Sequence, residues 1–123
     1  MEPRKENIII EKTFQFSLDI ISLYKKLQNE KEYILSNQLL RSATSIGANV
    51  EEAMAAQSKK DFINKMSVAS KEARETKYWL KLLDKSNLTK LNMLTFLMEI
   101  EHIINILTKI IITAQTNLKN DKV

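Results

Sequence analysis

Apolar residues recur along most of this chain at intervals of three and four, the spacing of a helix with one buried face. Four blocks carry the pattern, at about residues 11–28, 34–57, 59–85 and 90–118. In the first, Phe16, Ile20, Leu23 and Leu27 fall on one stripe. In the second the stripe is Leu35, Leu39, Ala43, Ile46, Val50 and Ala53, and in the third it is Phe62, Met66, Ala69, Ala73, Leu80 and Leu83. The fourth is broadest: Met93, Phe96, Leu97, Ile100, Ile103, Ile104, Leu107, Ile110, Ile111 and Ala114 share one wide face, with Met93 and Met98 read as core filler. The breaks "NEKEY", "QSK" and "SNLT" are short and polar. Ser58, with Asp61 three residues on, and Thr89 stand where helix N-caps are expected. Residues 1–7 and 119–123 are polar ends expected to fray.

Long helices with short joins place sequential neighbours antiparallel. The expected fold is all-α: an up-down-up-down four-helix bundle filling one domain, residues 1–123. Composition agrees, since a chain with one glycine and one proline has few turn-makers for a sheet protein.

A monomeric bundle needs one apolar stripe per helix, and this chain has more. In segment one, Phe14, Leu18 and Ile21 lie nearly opposite the core stripe; in segment three, Val68, Trp79 and Leu82 lie about 100° or more from its centre. Segment two backs its core stripe with Arg41, Ser45, Ala48, Glu52 and Ala55, flanked by Ser42, Asn49 and Ala56, where a solvated face would favour Lys, Glu and Gln. Such small side chains let another backbone approach, and Gly47, on a flank of this helix, suits the same need although a mid-helix glycine costs about 1 kcal/mol relative to alanine. Homo-oligomer formation is therefore expected, with Phe14, Leu18, Ile21, Arg41, Ser45, Ala48, Glu52, Trp79 and Leu82 at the interface. Arg41 and Glu52, three turns apart, are expected each to meet a charge on a neighbouring helix or subunit, with Glu75 a partner for Arg41.

Charge is concentrated. The net charge is +4, and Ser58–Ser86 alone carries eight Lys or Arg against four Asp or Glu. Lys71, Arg74, Lys77, Lys81 and Lys85 fall within about 120° of one another on a helix, with Tyr78 inside the arc. Cations around an aromatic ring match what a nucleic-acid strand offers, phosphates and bases. A solvated lysine face, with Glu72 and Glu75 pairing some lysines at helical spacing, is the plain alternative. Lys59, Lys60 and Lys65, at the other end of the segment, are the next candidates.

Catalytic constellations are absent from the sequence. There is no cysteine, and His102 is the only histidine, so neither a Cys–His dyad nor a His–His metal pair can form. Ser42 and Ser45 have no accompanying base, and no Gly-rich phosphate loop occurs. No enzyme activity, cofactor, metal or small-molecule substrate is expected. No apolar run reaches membrane-spanning length, and the N-terminus lacks the core of a signal peptide, so the expected location is cytoplasmic.

The ordered runs "QLLRSATSIGANVEEA", "QSKKDFI" and "KEARETKYWLKLL", with "EKTFQFSLDIISLYKKL" upstream, resemble the bacterial four-helix bundle family also called the 23S rRNA intervening sequence protein family. That family is in turn similar to the accessory protein of diversity-generating retroelements. The resemblance implies a homopentameric barrel of four-helix protomers with a basic, nucleic-acid-binding surface. Two function classes follow: an oligomeric binder of RNA, DNA or a ribonucleoprotein, or a protein–protein adaptor without a nucleic-acid role.

Overall fold

The computed structural model describes residues 5–121. Among them the chain forms α1 (Lys5–Asn29), α2 (Ile34–Met54), α3 (Lys59–Ser86) and α4 (Leu94–Asp121), with no strand. Each helix packs on the next, and α1 meets α4 more thinly to close the ring. Lys59 at the start of α3 pairs with Asp121 at the end of α4, as antiparallel neighbours require, and Lys12 on α1 pairs with Glu99 across the α1–α4 side.

The core forms where the 3.6-residue stripes converge. Phe16, Ile20, Leu23 and Leu27 of α1 meet Leu39, Ala43, Ile46 and Val50 of α2, and Met66, Ala69, Ala73 and Leu80 of α3 meet Ile100, Ile103 and Leu107 of α4 in one buried cluster. At the upper end of the expected α3 stripe, Ile63 is buried while Phe62 is half-buried against the core. A polar contact joins two helices in this interior: the hydroxyls of Ser42 on α2 and Thr76 on α3 are 2.8 Å apart and share a hydrogen bond. Ser42 thus belongs to the α2–α3 seam and not to the outer small face where periodicity put it.

Several boundaries differ from the periodic reading, each for a local reason. Helix α1 begins at Lys5, not Glu11, because Ile9 and Ile10 continue its inward face; Ile9 is buried and Ile10 packs against the core. The expected fraying at 1–7 falls partly at residues 1–4, outside the described residues. Helix α2 stops at Met54 rather than at 57, where Ala55 and Ala56 close it with amide hydrogen bonds to Glu52 and Ala53. Helix α4 begins at Leu94, not at 90. Thr89 caps nothing there: its hydroxyl donates to Glu30 and accepts the Leu91 amide, while Asn92 Oδ1 accepts the Leu94 amide at 2.8 Å. At its far end α4 runs on to Asp121, so residues 119–121 are helical. Ser58 does cap α3, its side chain accepting the Asp61 amide at 3.0 Å.

The turns form without glycine. Lys31 takes a left-handed conformation (φ 63°), and the Glu32 amide reaches back to the Leu27 carbonyl while the Lys31 amide reaches Gln28, a Schellman-type closure of α1. Glu32 then turns its carboxylate onto the Leu35 and Ser36 amides, at 3.0 and 2.7 Å, and so starts α2. Asn87 ends α3 with φ 61°, a conformation asparagine tolerates better than most residues.

Candidate nucleic-acid interface

Helix α3 turns its apolar stripe into the bundle, which leaves its cationic arc outside. Lys71, Arg74, Tyr78, Lys81 and Lys85 are all exposed, and Lys77 is half-buried at the edge facing α4. The arc is not uniform. Lys77 Nζ lies 2.6 Å from Glu101 of α4, so its charge is already met. Lys85 has Asp84 at 3.7 Å, with its own side chain almost fully solvated. Lys71, Arg74 and Lys81 have no ion-pair partner among the described residues.

The two acids in the middle of α3 do not pair with these lysines. Arg41 of α2 takes both, with Nη2 at 2.5 Å from Glu75 and Nη1 at 3.4 Å from Glu72. The hydrogen bond to Glu75, followed by the nearby charges of both glutamates, outweighs desolvation and raises the Arg41 pKa further above its ordinary value. Arg41 thereby engages both carboxylates at the α2 side of α3, including Glu75, which stands four residues from Lys71. The other charged residue on the outer face of α2, Glu52, lies 3.6 Å from Lys65. Lys59 is bound to Asp121, so two of the three cations at the start of α3 are committed within the chain.

Tyr78 is 56% exposed and meets Trp79 edge-on, with ring centroids 5.2 Å apart and planes at 68°. Trp79 packs against the core, and its indole nitrogen is buried without a hydrogen-bond partner among the described residues. Trp79 therefore does not stand out on a second outer face as periodicity had it; it anchors the ring beside it. Leu82 is half-buried.

The remaining expected interface residues lie on other sides of the protomer. Phe14, Leu18 and Ile21 are 63%, 44% and 36% exposed on the outer side of α1. Ala48 is exposed and Ser45 half-buried on α2. Gly47 faces inward toward α1, where a Cβ would meet the Thr13 carbonyl oxygen at 3.5 Å, an ordinary contact. Helix α4 is less one-sided than its sequence implied. Met98 is 65% exposed and not core filler, and Leu94 and Ile112 are also exposed.

One feature carried no clear signal in the sequence. The thin α1–α4 contact leaves a groove of about 780 Å³, floored by Phe16, Leu23 and Phe96 and crossed by the Lys12–Glu99 pair. It arises because the α1 edge toward α4 carries Gln15, Asp19 and Ser22, polar residues of the kind found on any solvated face. Ser42 is buried, and the Ser45 carbonyl accepts a hydrogen bond from the Asn49 side-chain amide. Among the described residues no cluster of three metal-ligating side chains forms, and no helix is long and apolar enough to cross a membrane.

Comparison with known proteins agrees with this architecture. Comparison with curated proteins finds no match. Among solved structures the chain is similar to a protein with unknown function from the S23 ribosomal protein family of Bacteroides thetaiotaomicron. The two are 45% identical, with a TM-score of 0.83 over 88% of this chain and 98% of that one. The family model for 23S rRNA-intervening sequence proteins matches residues 5–109, which take in all of the first three helices and more than half of the fourth. With the motifs of α2 and α3 inside that match and the fold shared at this identity, the chain belongs to the 23S rRNA-intervening sequence protein family.

Proposed function

We propose that this protein is a non-enzymatic nucleic-acid-binding module that acts as a homo-oligomer, with RNA or a ribonucleoprotein as its ligand. The observation that carries the reading is the outer face of α3, where Lys71, Arg74 and Lys81 are exposed and unpaired among the described residues, around an exposed aromatic ring. A solvated helix face normally interleaves acids with its lysines; here the interior acids of α3 are held by Arg41 instead. Phosphates that reach this face would release their counterions, and counterion release is the main source of affinity for nucleic acid.

Assembly follows from α1. Phe14, Leu18 and Ile21 form an exposed apolar stripe, an arrangement that marks an interaction surface more often than a solvent face. A pentamer is the form the family resemblance implies, and a ring of protomers repeats the weak cationic face so that one polymer touches several copies. The same stripe supports the alternative reading, a protein–protein adaptor, if the partner that covers it is another protein.

The test is a binding titration of a structured RNA and a duplex DNA at low and moderate salt, for wild type and for Lys71→Glu with Lys81→Glu. Binding at low salt that the double variant loses, with helicity and assembly unchanged, supports the proposal. If wild type binds neither polymer, the adaptor reading replaces it. If the variant binds as well as wild type, the surface lies elsewhere.

A further inference from the structure

We infer that the α3 face is built for an unpaired strand, with Tyr78 as the stacking platform for one base; this rests on the nucleic-acid reading above and specifies its ligand. The argument is positional. Around Tyr78 the cations stand at i−7 (Lys71), i−4 (Arg74), i+3 (Lys81) and i+7 (Lys85), all on one side of the helix. At about 1.5 Å per residue they lie about 10.5 and 6 Å before the ring and about 4.5 and 10.5 Å after it along the axis. The aromatic ring is thus centred in a row of charge about 21 Å long. A strand laid along α3 puts its phosphates on cations to either side and one base over the ring.

The ring is suited to that task. It is more than half exposed, and its edge contact with Trp79, itself packed on the core, holds it in place, so little side-chain freedom is lost when a base stacks. A duplex presents its bases already stacked on one another and offers the ring no free face; only the charges would act on it. Stacking on an aromatic side chain is tolerant of sequence, so the ligand is defined by its unpaired state and not by a consensus. The exposed members of the row, Lys71, Arg74, Tyr78, Lys81 and Lys85, are suited to phosphates and π-faces.

Fluorescence anisotropy with a 5′-labelled single-stranded RNA of about 20 nucleotides and a labelled duplex of equal length, at one low salt concentration, tests the inference. The native protein is expected to bind the single strand more tightly. Tyr78→Leu keeps apolar bulk but removes the ring, and should weaken single-strand binding by about tenfold while leaving duplex binding unchanged. Tyr78→Phe should retain wild-type preference. Circular dichroism on each variant verifies the fold. Equal affinity for both polymers, or a Tyr78→Leu variant that binds the single strand as wild type does, overturns the stacking role and leaves the charge-based function standing. Equal displacement of the strand by polyglutamate of matched charge also overturns it, because that outcome makes the face a general anion surface. Failure of the native protein to bind either polymer removes both this inference and the function it rests on.

Discussion

Gly47 is spared a steric duty within the protomer. A Cβ there would lie 3.5 Å from the Thr13 carbonyl oxygen and 3.6 Å from the Thr13 side chain, both ordinary van der Waals distances. Helix propensity then decides the outcome, and Gly47→Ala should stabilise the fold by about 0.5–1 kcal/mol, read as a higher urea midpoint with an unchanged slope. A loss of stability would show that the α1–α2 approach is tighter than this geometry. The glycine shows how residue-scale reading succeeds in part. Its place on a flank that meets another backbone was legible from its angle on the helix; the neighbour's identity, α1 of the same chain, was not, because periodicity gives a direction and no distance. Lys31 and Ser42 mark the same boundary. A lysine in the left-handed region carries no turn signal, and a serine on the edge of a stripe looks the same whether it faces water or a partner hydroxyl such as that of Thr76.

At the scale of helices, the α2–α3 seam links packing to the proposed function. Arg41 holds Glu72 and Glu75 on the α2 side of α3, away from Lys71, Arg74 and Lys81. Arg41→Ala frees Glu75 to approach Lys71, four residues before it on α3, by helical i,i+4 pairing. The expected result is a several-fold loss of RNA affinity at low salt, larger than that caused by Lys25→Ala, which removes one exposed charge from α1. Stability should fall by no more than about 1 kcal/mol, since half of the Arg41 side chain is solvated. Equal effects from both variants would mean that only net charge matters. The sequence made the Arg41–Glu75 pairing foreseeable, because both residues sit on facing outer edges of consecutive antiparallel helices. It did not reveal that Lys77 is spent on Glu101, since that pairing depends on the register of α3 against α4. The α4 start was misplaced for a related reason: Thr89 has the chemistry of a cap, but Glu30 engages its hydroxyl across the end of the bundle.

For the whole molecule, the four-helix architecture was legible because each core stripe is long and the joins are short, whereas the outer surfaces were legible only as composition. Phe14, Leu18 and Ile21 form the apolar outer stripe on α1, and Phe14→Glu with Leu18→Glu should shift the light-scattering mass toward a single protomer while far-ultraviolet circular dichroism stays helical. A wild-type monomer at micromolar concentration would exclude self-assembly outright. An oligomer unaffected by the two changes would move the interface to the small face around Ala48. Whatever the assembly, the proposed function requires that the outer face of α3 bind phosphates. The most direct measurement is the affinity for a single-stranded RNA across a salt series, for wild type and for Lys71→Gln with Lys81→Gln. The logarithm of wild-type affinity should fall linearly with the logarithm of salt concentration, by about 0.7 per phosphate neutralised, and the double variant should flatten that slope by about 1.4 for each protomer engaged. Identical slopes for the two proteins, or wild-type binding that does not depend on salt, would show that Lys71 and Lys81 do not hold phosphates.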